Sequence, residues 1–139
     1  MIVLVDINVM LDVFQKRQAF YTHSLAVMNE VMSGSLKGIC ASHGLATLFY
    51  MIEKQAATVD AEKAIDEVLL HYAVIGLSTA DWKNARQLSM PDFEDAGIAI
   101  TAQKAGAAFI ITRNEADFAG SPVPAISPAT FLSRFMPQI

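Results

Sequence analysis

The stretch Ile2-Val3-Leu4-Val5-Asp6-Ile7-Asn8 decides the fold. Its apolar residues run without polar alternation and are mostly β-branched, the pattern of a short strand buried on both faces of a parallel sheet. Such a strand needs helices above and below it, and the rest of the chain supplies them. Phe20 to Met32 carries Leu25, Met28, Val31 and Met32 at helical steps, and Gly34 is placed to stop that helix. Lys37 to Ala41 reads as a second strand. Ser42 is placed to cap a helix reaching about Gln55, with Leu45, Leu48, Phe49 and Ile52 as its apolar stripe. Asp60 opens a further helix bearing Ala64, Ile65, Val68 and Leu69, and Val74-Ile75-Gly76-Leu77 offers a third strand.

The same alternation continues to the end. Ser78 and Asp81 stand at capping-box spacing ahead of a helix through Ala85 and Leu88. Pro91-Asp92 restarts a helix whose positions Ala96, Ala99, Ile100 and Ala102 run to Gly106. Phe109-Ile110-Ile111 is the clearest later strand, Ala125-Ile126 a last short one, and Ser127-Pro128 an N-cap with proline at the first helical position. Strands alternating with helices predict a three-layer α/β/α sandwich around a central, mainly parallel sheet of four or five strands.

At 139 residues the chain is expected to form one domain spanning 1–139. Hydrophobic residues make up 53% and charged residues 17%, the latter below the roughly 25% usual for soluble proteins, which excludes a disordered chain. Mean hydropathy is +0.37, yet Asp6, Asn29, Glu30, Glu53, Asp66 and Asp95 break every run long enough to span a membrane. The apolar run before Asp6 is too short for a signal peptide, and the lone Cys40 permits no intrachain disulfide, so a cytoplasmic protein is expected. A net charge of −4 and a pI near 5.2 exclude a protein that grips nucleic acid through a broad basic face.

In open parallel sheets ligands bind beyond the carboxyl ends of the strands. Those ends carry Asp6-Ile7-Asn8, then Ser42 and His43 with Thr47 a turn later, and Thr112-Arg113-Asn114 followed by Glu115 and Asp117. Asp92, Glu94 and Asp95 open the helix before that last strand. Carboxylates from three separate segments thus meet at one sheet edge, where mutual repulsion is relieved by a proton or by a divalent cation. An oxygen-only ligand set favours Mg²⁺ or Mn²⁺ over zinc, and His23, His43 and His71 show no paired ligand spacing.

Each acid also has a purely architectural reading. Asp6 suffices as a cap after the first strand, and Asp92 with Asp95 as the two halves of a capping box. Asp117 suits a turn, and Asp12, Glu53, Asp60, Glu62, Asp66 and Glu67 read as solvated helix-face charges. No GxGxxG, GxxxxGK or GxSxG occurs. A receiver-like phosphoacceptor domain needs a lysine after the last strand, and AISPATF has none.

The opening IVLVDINVMLDVF, the central DFEDAGIAITAQKAGAAFIITRNEADF and the closing SPVPAISPATFL together resemble a bacterial PIN domain over nearly the whole chain. The resemblance implies a metal-dependent ribonuclease, of the kind found as the toxin of toxin–antitoxin pairs, with RNA as substrate and an antitoxin protein as partner. It places the family's acids on Asp6 and Asp95, its last polar position on Asn114 with Asp117 nearby, and supporting roles on Asn8, Thr112 and Arg113. Mg²⁺ or Mn²⁺ would be held by Asp6, Asp95, Asp117 and Asn114. The chain departs from the family at Thr47, where an acid is usual in the helix after strand two. Glu53, six residues on and about 240° away around a helix, is a poor substitute. A PIN fold that binds protein or RNA without catalysis is therefore the alternative.

Lys16, Arg17, Lys104 and Arg113 are the candidates for a small phosphate-facing patch. The apolar surplus of seven Met and eight Phe, with Phe14, Phe20, Tyr21 and Phe135 expected near the surface, suggests a homodimer, as the family often forms.

Overall fold

A computed structural model describes residues 1–137. The elements run β1 (Ile2–Val5), α1 (Ile7–Phe14), α2 (Tyr21–Met32), β2 (Lys37–Ala41), α3 (Ser42–Gln55), α4 (Thr58–His71) and β3 (Tyr72–Ile75). They continue with α5 (Thr79–Arg86), α6 (Phe93–Lys104), β4 (Phe109–Ile111), a 3₁₀ turn (Glu115–Phe118), β5 (Ala125–Ile126) and α7 (Pro128–Phe135). The sheet order is β3-β2-β1-β4-β5, and every pairing is parallel.

β1 lies in the middle of the sheet and is covered on both sides, as its unbroken apolar run requires. Val3 and Val5 join Val9, Met10, Val27, Leu48, Val68 and Phe131 in the larger core, under α1, α2, α3, α4 and α7. Leu4, between them, points the other way and packs with Ile39 and Ile110 against Ile98, Ala99 and Ala102 of α6. This is the three-layer α/β/α sandwich, with five strands.

The punctuation behaves largely as its chemistry dictates. The Ser78 hydroxyl accepts from the Asp81 amide at 3.2 Å while the Asp81 carboxylate accepts from the Ser78 amide at 2.9 Å, a closed capping box. Ser127 caps α7 through the Thr130 amide, with Pro128 at the first turn. Gly34 and Gly106 follow α2 and α6 with φ of 88° and 73°, a region that costs glycine nothing.

Several boundaries differ from the sequence reading. α1 starts directly after β1 and was not anticipated; Asp6 occupies its N-cap position without making a side-chain cap bond. Ser42 is the first residue of α3 rather than its cap. Asp60 is the third residue of α4, not its opening, and its carboxylate accepts from the Ala57 amide at 3.1 Å. β3 begins two residues earlier than expected, straight from α4, because the Tyr72 ring packs over Gly38 of β2. A Cβ on Gly38 would lie 2.7 Å from that ring. Leu69 is 55% exposed although it was placed on the apolar stripe of α4, which is instead Ala61, Ala64 and Val68. Among the described residues no helix is long and apolar enough to cross a membrane.

Candidate active site at the carboxyl edge of the sheet

The register of β1 on β4 pairs Val5 with Ile111, so Asp6 and Thr112 leave the sheet side by side. The Asp6 amide donates to the Ile111 carbonyl and the Thr112 amide to the Ile126 carbonyl, each at 3.0 Å. This leaves the two side chains pinned. The buried Thr112 hydroxyl donates to Asp6 Oδ2 at 2.9 Å and accepts from the Asn114 amide at 3.1 Å. Asn8 Nδ2 lies 3.2 Å from the Thr112 hydroxyl and 3.4 Å from Asp6 Oδ2, while Asn8 Oδ1 accepts from the Arg113 amide at 3.4 Å. The sequence reading brought Asp6, Asn8 and Thr112 to one place, and they form one network. Both side-chain bonds to Asp6 fall on Oδ2. Burial pushes the Asp6 carboxyl above its ordinary value, partly offset by the Thr112 hydroxyl and the Ile7 amide; Glu94 raises it and Arg113 lowers it.

α6 delivers the facing acids. Asp92 Oδ1 accepts from the Asp95 amide at 2.9 Å, and Asp95 makes no reciprocal bond to the Asp92 amide. Half of the expected capping box therefore exists, and the Asp95 carboxyl is left over. Its pKa is pushed up to about 7, first by loss of water and then by Asp92, Asp6, Asp117 and Glu94. Asp117 is exposed on the 3₁₀ turn, where its amide donates to the Asn114 carbonyl at 3.0 Å. The Asn114 side chain is in no hydrogen bond among the described residues, so it is available at the same edge.

Glu94, noted in the sequence only as part of the helix opening, proves to line a small cavity of about 10 Å³ with Asp6, Gly44 and Ile98. Thr47, one turn beyond Gly44, is half-buried, and its side chain makes no hydrogen bond among the described residues. Glu94 is thus a carboxylate from α6 that shares a cavity wall with Asp6 and with Gly44 of α3. Nothing in the spacing of Glu94 marked it over Asp92, although Asp92 is the N-cap, engaged with the Asp95 amide, and Glu94 lies inside the first helical turn.

Arg113 and Asp12 correct the sequence reading. Asp12 is no solvated charge: it is fully buried, accepts from the Ser24 hydroxyl at 2.9 Å, and stands 2.8 Å from Arg113 Nε. Arg113 is therefore turned away from the acids, with its guanidinium 4.3 Å above the Phe20 ring. Its guanidinium anchors the turn that carries Asn114. The proposed cationic patch is not assembled either. Lys104 is held by Asp81 at 2.7 Å, which draws the Asp81 carboxyl down to about 2, and Arg17 is bonded to Gln15.

The donor chemistry of this edge fits a hard divalent cation: carboxylate and amide oxygens, one carboxyl buried and another whose pKa is raised by partial burial and by the like charges around it. Among the described residues no three His, Cys, Asp or Glu side chains are grouped closely enough to hold a metal ion together. An open site is still compatible with Mg²⁺, which keeps several waters and takes only one or two carboxylates from its protein.

Fold and edge together define an α/β/α domain with an acid-lined crevice at the centre of a parallel sheet. Residues 2–116 match the PIN domain, and the chain belongs to the PIN domain family. It is 24% identical to "Ribonuclease VapC1" of Aquifex aeolicus (strain VF5), over 96% of this chain and 94% of that protein. Its fold is shared with VapBC2 from Rickettsia felis bound to a DNA fragment from their promoter, at a TM-score of 0.67 and 20% identity over 91% of this chain and 98% of that one. A toxin–antitoxin complex from Klebsiella pneumoniae gives a TM-score of 0.67 at 20% identity, covering 91% and 97% of the two chains.

Proposed function

We propose that the protein is a metal-dependent endoribonuclease that hydrolyses RNA phosphodiester bonds and acts as a toxin restrained by an antitoxin protein. The observation that carries this reading is the pairing of a buried, hydrogen-bonded Asp6 with an Asp95 whose ionisation is suppressed by burial and by its acidic neighbours, Asp6 among them. The name of the Aquifex relative and the complexes formed by the structural neighbours support it. Asp6 and Asp95 would hold Mg²⁺ or Mn²⁺, with Asp117 or Asn114 completing its shell directly or through water. A cation bound there supplies a nucleophile at neutral pH and offsets the charge that builds on the scissile phosphate. Thr112 and Asn8 fix the rotamer of Asp6, so that carboxylate needs no reorganisation when ligand arrives. Asp117 and Asn114 come from the turn that Arg113 anchors, and the Asp117 charge is felt by Asp95.

The test is cleavage of single-stranded RNA during Mn²⁺ titration, with Asp6→Asn beside the wild type. Metal-dependent cleavage that falls at least about hundredfold in Asp6→Asn is expected, the scale for losing one preorganised charge-stabilising group. Equal cleavage by both proteins rejects the assignment. Thr47 favours a second reading, a PIN domain that binds without cleaving. Retained RNA binding with no Mn²⁺ uptake by calorimetry selects it.

The proposed homodimer rests mainly on residues other than those picked in the sequence, of which Phe20 is exposed at 44%. Phe14 and Phe135 pack against the larger core, whereas Tyr50 of α3 and Val59, Leu69 and Leu70 of α4 are 60%, 52%, 55% and 73% exposed. A dimer through α3 and α4 is expected in sedimentation at tens of micromolar, on the order of the dissociation constant of a modest interface. A monomer there excludes it.

A further inference from the structure

Phe93 is the first residue of α6, between the cap Asp92 and the acids Glu94 and Asp95, and it is 49% exposed. A large aromatic ring left half in water forgoes much of its burial energy, yet this one is not loose. It leans on Trp82 with ring centroids 5.0 Å apart at 42°, and Trp82 meets His43 edge-on at 5.1 Å and 64°. His43 enters α3 directly from β2, at the same carboxyl edge as Asp6. Gly97, one turn after Phe93, admits the indole: a Cβ there would lie 2.6 Å from Trp82 Cη2 and Cζ3. The result is an aromatic ring, mounted on two others, beside the acidic crevice.

We propose that Phe93, backed by Trp82 and His43, is a stacking platform for a nucleobase of single-stranded RNA whose neighbouring phosphate sits at the acids. This rests on the ribonuclease reading and adds how such a protein holds its substrate. The chain carries a net charge of −4, and the cations that would otherwise grip phosphates are occupied, Lys104 by Asp81 and Arg113 by Asp12. Stacking is indifferent to that charge. Unpaired bases splayed onto aromatic side chains are the common way proteins hold single-stranded RNA, at about 1–3 kcal/mol per base. Glu94, the next residue on α6, lines the cavity with Asp6 and Gly44, and Gly97, on the Phe93 face one turn later, adjoins His43. The ring therefore borders the acids on the Glu94 side, where a base flanking the bound phosphate would arrive.

Trp82 is the only tryptophan, so its emission reports on the platform without ambiguity. The full chain with Mn²⁺ is titrated with a single-stranded oligoribonucleotide and with an abasic ribose-phosphate oligomer of equal length, while cleavage of each is timed. Phe93→Ala is expected to raise KM for the oligoribonucleotide about tenfold, or about 1.4 kcal/mol, with the loss falling on KM rather than kcat. Phe93→Tyr should restore the value. Phe93→Leu, which keeps apolar bulk without a π-face, should behave like Phe93→Ala, and the abasic oligomer should show no difference among the variants. Trp82 emission should shift with the base-bearing oligomer alone. A KM unchanged in Phe93→Ala, rescue by Leu, or an equal loss on the abasic oligomer overturns the platform. The two readings fail separately. A base-dependent Trp82 response without cleavage removes the nuclease and keeps the platform, and cleavage without base dependence does the reverse. No Trp82 response and no cleavage removes both.

Discussion

Asp12→Ala is expected to lower the stability to urea by about 3 kcal/mol, the low end of what is seen when one partner of a buried ion pair is removed. Asp12 has no exposed surface, and its Oδ2 receives the Ser24 hydroxyl while facing Arg113 Nε at 2.8 Å. The Arg113 contact is a charge pair rather than an aligned hydrogen bond, and Asp12 Oδ1 has no hydrogen-bond partner, which places the cost at the low end. Removing the carboxylate leaves the guanidinium partly buried against Phe20 with no counter-charge. The same change should weaken RNA cleavage, because Arg113 belongs to the turn whose amides bond Asn8 and Thr112. Replacing the closest pair by apolar residues of similar volume, Asp12→Leu with Arg113→Met, should recover most of the lost stability, because the charge left behind, Arg17 at 3.9 Å from Asp12 Oδ1, is one-third exposed and stays bonded to Gln15. A loss below about 1 kcal/mol in Asp12→Ala would show a hydrated surface pair instead.

That residue also shows why part of the site was illegible in the sequence. Asp6 could be found because it ends an unbroken apolar strand, and strand ends in parallel sheets are where ligands bind. Asp12 sits among Met10, Leu11, Val13 and Phe14 on a helix that follows β1 with only Asp6 between, and Asp6 read alone as a cap does not distinguish a turn from a helix start. With α1 unseen, its burial was unseen too. The one available clue was its position three residues after the buried Val9, on the same helical face. Arg113 was misplaced for a related reason: whether an arginine after a strand faces substrate or structure depends on a partner far away in sequence. The centre of the sheet, by contrast, was legible from Ile2–Val5 and Phe109–Ile111, because continuous β-branched runs of that length have few other ways to be buried. Boundaries of the flanking elements moved where packing overrode punctuation, as at β3, where Tyr72 closes over Gly38.

Asp95→Asn is expected to stabilise the protein in EDTA while abolishing its cleavage of RNA. In the folded protein the Asp95 carboxyl titrates at about 7 against an ordinary 3.8, because it is partly desolvated and Asp92, Asp6, Asp117 and Glu94 repel its charge. The folded state therefore keeps a proton that the unfolded chain releases near pH 4. The stability attached to that proton is fully present below the unfolded value and is lost as pH rises through about 7. Asparagine has no proton to lose, so the variant should gain on the wild type progressively from pH 4 to pH 8. The histidines are common to both proteins and cancel in the difference. Asp95 is half-exposed, so solvent screening reduces the gain to about 1–2 kcal/mol at pH 8. Added Mn²⁺ should reverse the order: at about a hundred times its dissociation constant it stabilises the wild type by about 2.7 kcal/mol, and the variant far less. Cleavage should fall at least about hundredfold in the same variant. Parallel pH profiles for the two proteins in EDTA would show that Asp95 is not crowded by like charge, and equal stabilisation by Mn²⁺ would remove it from the metal-binding group.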